Sequence, residues 1–303
     1  MGQAIERVKE VLFRPFDLGR WFVIGFCAWL AHLGQSGFHG AFNNRFGSVH
    51  GQGAQEYRHT FEQARDYVRD NLAWILPLAI GVAIVGLVLW LVVLFLSSRG
   101  QFMFLHCVAL NRAEVSIPWA LYGREANSLF LFRLVLALAG MVVMLPLLGG
   151  IILLAIGMAQ RGQFSVGGIL WIALLGLAMV AFSFAFWLTT WLTREFVVPL
   201  QYLRRSSCTS AWGELFRLSA GKLGLFILYV LFRIVLALGI FVLELMLVLV
   251  TCCIAGCLFA LPYLGTVLLL PIIMFVRSFS LYYLAQFGPE YNVFSPTATA
   301  AAY

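Results

Sequence analysis

The sequence predicts an all-α polytopic membrane protein: six transmembrane helices forming three parallel hairpin repeats, each preceded by an interfacial amphipathic helix. Three observations predict it. First, 62% of the 303 residues are hydrophobic and 11% are charged, whereas soluble domains carry about a quarter charged residues. A roughly 300-residue globule still exposes about a quarter of its chain, so the apolar surplus must face lipid. Second, the stretches 72–96 and 167–192 carry no charge, and 225–250 carries only Arg233 and Glu244. Crossing the hydrocarbon takes ~20 apolar residues. These runs are continuous rather than alternating, which excludes an outer-membrane barrel. Third, the chain repeats itself.

The elements follow in order. Residues 3–13 form a short amphipathic helix, with Ile5, Val8 and Leu12 on one stripe, Ala4 and Val11 beside it, and Glu6, Arg7, Lys9 and Glu10 opposite. Such a helix lies in the interface. The first span runs from about Phe16 to Phe38, its apolar length shortened by Asp17, Arg20 and His32. An outer polar segment, 39–71, carries Tyr57, Phe61, Ala64, Val68 and Leu72 at helical spacing. Span two ends near Ser97-Ser98-Arg99, and span three covers 128–158 with a bend at Pro146. Span four ends near Thr193-Arg194, span five covers 225–250, and span six runs to about Phe275. One transmembrane domain, 1–288, therefore precedes a disordered tail, 289–303.

Fifteen of the twenty Lys and Arg residues fall on the side of the termini. The other five are Arg45, Arg58, Arg65, Arg69 and Arg161. The positive-inside rule then puts both termini in the cytoplasm. The same scatter along helix ends reads the net charge of +7 as membrane orientation and excludes a nucleic-acid footprint. No secretory signal peptide is legible, because Glu6 and Glu10 sit in the leader.

Residues 131–138, Leu-Phe-Arg-Leu-Val-Leu-Ala-Leu, recur at 231–238 with seven of eight identical. Before each copy lies a Trp-centred turn, around Trp119 and Trp212. The even-numbered spans close on Arg99, Arg194 and Arg277, each near a Phe. The repeat units are about 3–110, 111–205 and 206–288. All start and finish on one side, so the repeats are parallel rather than inverted.

With residues 97–102 (Ser-Ser-Arg-Gly-Gln-Phe) and 124–134 (Arg-Glu-Ala-Asn-Ser-Leu-Phe-Leu-Phe-Arg-Leu), this pattern resembles bacterial six-span membrane proteins. It is also similar to the membrane domain attached to some glycerophosphodiester phosphodiesterases. The resemblance covers most of 4–287. It implies the fold and a bacterial inner membrane, without the phosphodiesterase domain of the fused enzymes.

Glu244 is the most unusual residue, since an acid inside an apolar run costs at least ~2.5 kcal/mol unless paired, protonated or hydrated. It reads as a proton or cation site, a structural partner for an arginine of another helix, or a subunit contact. Arg133 and Arg233 sit one to two turns inside their helices and can snorkel, clamp lipid phosphate or cap a neighbouring helix. His32, His39, His50 and His59 match no compact zinc spacing. Cys252, Cys253 and Cys257 read as packing residues, with metal, redox or lipidation as the alternatives. G-x-S-x-G, H-E-x-x-H and Walker patterns are absent from the sequence.

The reading is a non-enzymatic integral membrane subunit or scaffold that binds lipid and other membrane protein subunits, with no cofactor and no metal. Its candidate contacts are Glu244, Arg133, Arg233, Arg99, Arg194, Arg277, Trp119 and Trp212. The alternative is a transporter or channel with Glu244 as its intramembrane site.

Overall fold

The computed structural model describes residues 2–14, 16–33, 71–161, 165–221, 223–250 and 261–294. Among these the regular structure is helical throughout, without a strand. Four helical rods are long and apolar enough to cross a membrane: Ala73–Leu110, Gly123–Met158, Val166–Arg204 and Gly224–Leu243. They correspond to expected spans two to five.

In chain order, α1 is Gly2–Val8, continued by a π-helical turn at Lys9–Phe13, and α2 is Leu18–His32. Next come α3 (Leu72–Leu110), α4 (Ser116–Leu121) and α5 (Gly123–Arg161). Helix α6 (Val166–Leu192) passes through a second π turn, Thr193–Val197, into α7 (Val198–Arg204). The chain continues with α8 (Cys208–Gly221), α9 (Leu223–Val250), α10 (Pro262–Leu268) and α11 (Leu270–Ala285). The expected amphipathic segments appear as α1, α4 and α8. In α1 and its π turn the buried stripe is Ala4, Val8, Val11 and Leu12, while Ile5 is 46% exposed.

The outer ends differ from expectation. Helix α2 stops at His32, where Leu33 leaves helical backbone. Its 15 residues reach about 22 Å and the 16 of α11 about 24 Å, each short of the ~30 Å hydrocarbon. The segment 34–70, with His39, His50, His59 and the outer helix, lies outside the described residues. So do 251–260, with Cys252, Cys253 and Cys257, and residues 295–303 of the expected tail, whose described part, 289–294, carries a 3-10 turn at Pro289–Tyr291 with Tyr291 and Val293 buried.

The helix of span two does not end at Ser97–Arg99. Helix α3 continues unbroken to Leu110, and Ser97, Ser98 and Gln101 are buried within it. Polar residues that would mark a membrane boundary on a lone helix are here covered by protein. The helix stops instead at Asn111, in left-handed conformation (φ 56°, ψ 37°), which Asn tolerates better than most residues. Helix α7 ends the same way at Arg205 (φ 50°, ψ 38°). The cost of that conformation is offset by bonds. Arg205 donates to the Leu121 carbonyl (2.9 Å), lies 4.1 Å over the Tyr122 ring and stands 3.9 Å from Glu125.

At ~1.5 Å per residue the 39 residues of α3 extend about 58 Å, nearly twice the hydrocarbon thickness. Two parts result. Residues 73–89 are exposed except for the half-buried Ile75, as are most of 135–153 and 166–187. The other part is a packed base where Ile24, Leu105, Leu129, Phe196, Leu200, Met274 and Leu281 are fully covered. Helix α2 is held tightly there. A Cβ on Gly100 of α3 would lie 2.6 Å from the Ala31 nitrogen, and one on Gly25 of α2 would lie 2.6 Å from Val267 of α10.

Candidate functional site

The site grows from a proline. Pro199 stands at the start of α7, just after the π turn. Its ring crowds the carbonyl four residues back, that of Glu195, and the helix widens there. The Val198 N–H bonds the Thr193 carbonyl, a five-residue rung. The next such rung would run from residue 199 to the carbonyl of Arg194, but proline has no N–H. Arg277 of α11 supplies the donor instead, with Nη1 2.6 Å from the Arg194 oxygen.

The turn also carries the local acid. Glu195, 8% exposed in its side chain, pairs through Oε1 with Arg233 Nη2 at 3.1 Å. Arg133 of α5 donates to Ser97 Oγ of α3 at 3.4 Å, and Ser97 donates in turn to the Ala31 carbonyl of α2 at 3.2 Å. The charges of Arg133, Arg233, Arg277 and Glu195 all act on Arg194. His32, bonded through Nδ1 to the Ala28 carbonyl (2.7 Å), closes the group from α2 and feels both Arg194 and Arg277.

Four of the predicted arginines, far apart in sequence, are thus brought together. Among the described residues several buried polar atoms at or near this group have no hydrogen-bond partner: Glu195 Oε2, Arg233 Nε, Tyr229 Oη and Ser278 Oγ. Unpaired buried polar atoms are costly, which marks the group as more than ordinary packing.

The remaining predicted residues sit elsewhere. Arg99 donates to the Trp119 carbonyl (2.8 Å) and lies 4.7 Å over the Trp119 ring and 5.0 Å over Phe95. It is a helix-to-helix tie between α3 and α4. Trp212 packs on Phe132 and Phe216, with ring centroids 6.2 and 5.4 Å apart. The backbone of Glu244 lies in α9, and its side chain is outside the described residues.

Elsewhere in the packed base, Tyr122 and Tyr202 stack at 4.7 Å, and Tyr202 Oη meets His106 Nδ1 at 3.2 Å. Burial pushes the Tyr122 hydroxyl above its usual range. An apolar crevice of about 530 Å³ lies among α1, α9 and α11, lined by Ile5, Val8, Phe232, Leu236, Leu243 and Pro271. A polar one of about 520 Å³ is lined by Arg204, Glu214, Arg217, Leu218 and Tyr291. Among the described residues no three His, Cys, Asp or Glu side chains gather as a metal-ligand set.

Residues 1–276 match the family of unknown function DUF7544. The chain belongs to DUF7544. No curated protein and no solved structure matches it. Within the DUF7544 match lie Arg133, Arg194, Glu195 and Arg233, and it stops one residue before Arg277.

Sequence reasoning missed Glu195, Ser97 and His32 as members of the site. Glu195 reads as a boundary acid beside Arg194, where charges are ordinary. The available signal was Pro199 four residues downstream, which tells that the helix must deform at that acid.

Proposed function

We propose that the chain is a non-enzymatic integral membrane subunit or scaffold, binding lipid and other membrane proteins through its helix faces. It crosses a bacterial inner membrane through its four long helices, with the shorter α2 and the α10–α11 pair taken as the first and last of six spans, both termini cytoplasmic, in three hairpin units. One observation carries the reading. The apolar windows of three of the four long helices are 0% buried within the chain and that of the fourth 6%, while the core is confined to the packed base. Apolar helix surface left bare by its own fold is surface for lipid or a partner helix.

The repeat supports the arrangement. The echoed arginines, Arg133 and Arg233, each cross to the long helix before their own, at Ser97 in one case and Glu195 in the other. Fifteen basic residues on one side of the expected spans support the orientation. The likeness of 97–102 and 124–134 to bacterial six-span proteins supports the compartment.

Extraction into native nanodiscs followed by mass spectrometry tests the reading. A stoichiometric membrane-protein partner, or a defined oligomer of the chain itself, is expected. Solute or proton flux by the protein reconstituted alone, abolished by Glu244→Gln, would replace the scaffold with a transporter.

A further inference from the structure

Two of the six cysteines meet inside the packed base. Cys27 of α2 and Cys107 of α3, 80 positions apart in sequence, hold their Sγ atoms 3.9 Å apart. Both are free thiols and both are fully covered by protein. A disulfide brings its sulfurs to ~2.0 Å, so closure asks for an approach of about 2 Å, shared by two side chains that each turn about one Cα–Cβ bond. The backbones beneath them already stand close. A Cβ on Gly100 of α3 would lie 2.6 Å from the Ala31 nitrogen of α2, and Ser97 donates to the Ala31 carbonyl at 3.2 Å on the same seam. Ala31 lies about one turn from Cys27 and Gly100 about two turns from Cys107, so both thiols face that seam. Helix backbones in contact are the setting in which paired Cα atoms come within disulfide range.

Cys107 has the way in. It stands three residues before the end of α3 at Leu110, and its Sγ lies 3.7 Å from the Glu114 carbonyl oxygen. Glu114 belongs to 111–115, the non-helical link between α3 and α4, in which Arg112 is exposed and Glu114 half-buried. Arg20 of α2 ties the start of this link, donating to the Asn111 carbonyl at 2.8 Å and to Asn111 Oδ1 at 2.9 Å. A short link without helical rungs opens at lower cost than the helices it joins. Its opening uncovers the Cys107 sulfur to a small neutral molecule, while Cys27 stays behind it in the helix seam.

We propose that Cys27 and Cys107 are a redox modification site: a hydroperoxide converts the pair to a disulfide that locks α2 onto α3, and a dithiol reductant restores it. Cys107, as the thiolate, attacks one peroxide oxygen. The O–O bond breaks, a sulfenic acid forms, and the departing hydroxide takes up the thiol proton as water. Cys27 then attacks the Cys107 sulfur, the S–S bond forms as the S–O bond breaks, and hydroxide leaves with the Cys27 proton as a second water. Two electrons pass from the sulfurs to the peroxide. The bond closes the chain from 27 to 107 into a loop, which restricts the unfolded state and stabilises the oxidised fold. The site is independent of what the helix faces bind.

The full chain in detergent is treated with hydrogen peroxide, alkylated in denaturant and digested for mass spectrometry. A peptide joining Cys27 to Cys107, lighter by two hydrogens than its reduced halves and split by dithiothreitol, is expected. The oxidised protein should unfold at least about 5 °C higher than the reduced one, a shift absent from Cys27→Ser. In that variant Cys107 should stop at the sulfenic acid, which dimedone traps. The wild-type cross-link needs no variant, so a poorly folding Cys27→Ser leaves the test intact. Both thiols still open to alkylation once the exposed Met141 is oxidised would overturn the proposal. So would Cys107 joined to another cysteine, or carried to the sulfinic acid without a cross-link. None of these outcomes touches the membrane-subunit reading, which its own partner measurement decides.

Discussion

Arg277 caps the backbone carbonyl of Arg194 at 2.6 Å, so two cations are drawn together by a main-chain vacancy. The vacancy exists because Pro199 cannot donate the rung that the widened turn requires. A proline that looks like a mere helix punctuation mark therefore decides where an arginine of another helix must sit.

That relationship predicts a coupling. Arg277→Gln should destabilise the fold by about 2 kcal/mol, the range for a hydrogen bond from a charged donor. In a Pro199→Ala background the backbone supplies its own N–H, and the same substitution should cost about 1 kcal/mol less. Thermal unfolding in detergent of the four proteins measures the cycle; strictly additive losses would sink the capping role.

Glu195→Gln should cost about 3 kcal/mol by leaving Arg233 without its counter-charge in a largely buried setting. Replacing both residues with apolar ones, Glu195→Leu/Arg233→Met, should recover most of that loss. The comparison is read from unfolding midpoints, and a double variant no better than the single would show that the pair is not the unit.

Gly100 approaches α2 so closely that an added Cβ would lie 2.6 Å from the Ala31 nitrogen and the Leu30 carbonyl carbon. Gly100→Ala should therefore cost about 1–3 kcal/mol through overpacking against backbone that cannot swing aside. Gly86, in the same helix, has nothing within 4 Å of its Cβ position, so Gly86→Ala should be neutral or stabilising by up to about 1 kcal/mol. Equal effects at both glycines would contradict the packing of α2 on α3.

Burial pushes the Cys208 thiol up to about 12, with Arg133 pulling weakly the other way. The fold favours the neutral thiol. Its contribution to stability is therefore complete below about 8.5, the unfolded value, and is lost as pH rises from there towards 12. In a variant with Cys208 as its sole cysteine, maleimide labelling at pH 8 should be slow in detergent and fast in denaturant. Rapid labelling of the folded protein would refute the burial.

How far the site could be read beforehand depends on the residue. An arginine in an apolar run stands out at sight, so Arg133, Arg233, Arg194 and Arg277 were legible singly. Their meeting was not, because they lie 39 to 144 positions apart and the contacts are lateral ones between helices. Arg99 carries the same sequence signal yet turns away to Trp119. Glu195 and Ser97 were hidden among ordinary boundary residues. The length of α3 was misjudged for a related reason: Ser97, Ser98 and Gln101 look like a water boundary until neighbouring helices cover them.

The amino-acid sequence alone determined that this protein is helical and membrane-embedded, because uncharged runs longer than a bilayer admit little else. It also located the starts of α6 and α9 to within two residues, whereas α5 begins at Gly123, five residues before the expected start, with Arg124, Glu125 and Asn127 inside the helix. Only the tertiary structure decided which polar residues are inside protein rather than in water, and which arginine takes Glu195 as its counter-charge. Those depend on what stands beside each helix, and hydropathy along a single strand of sequence holds no information about lateral neighbours.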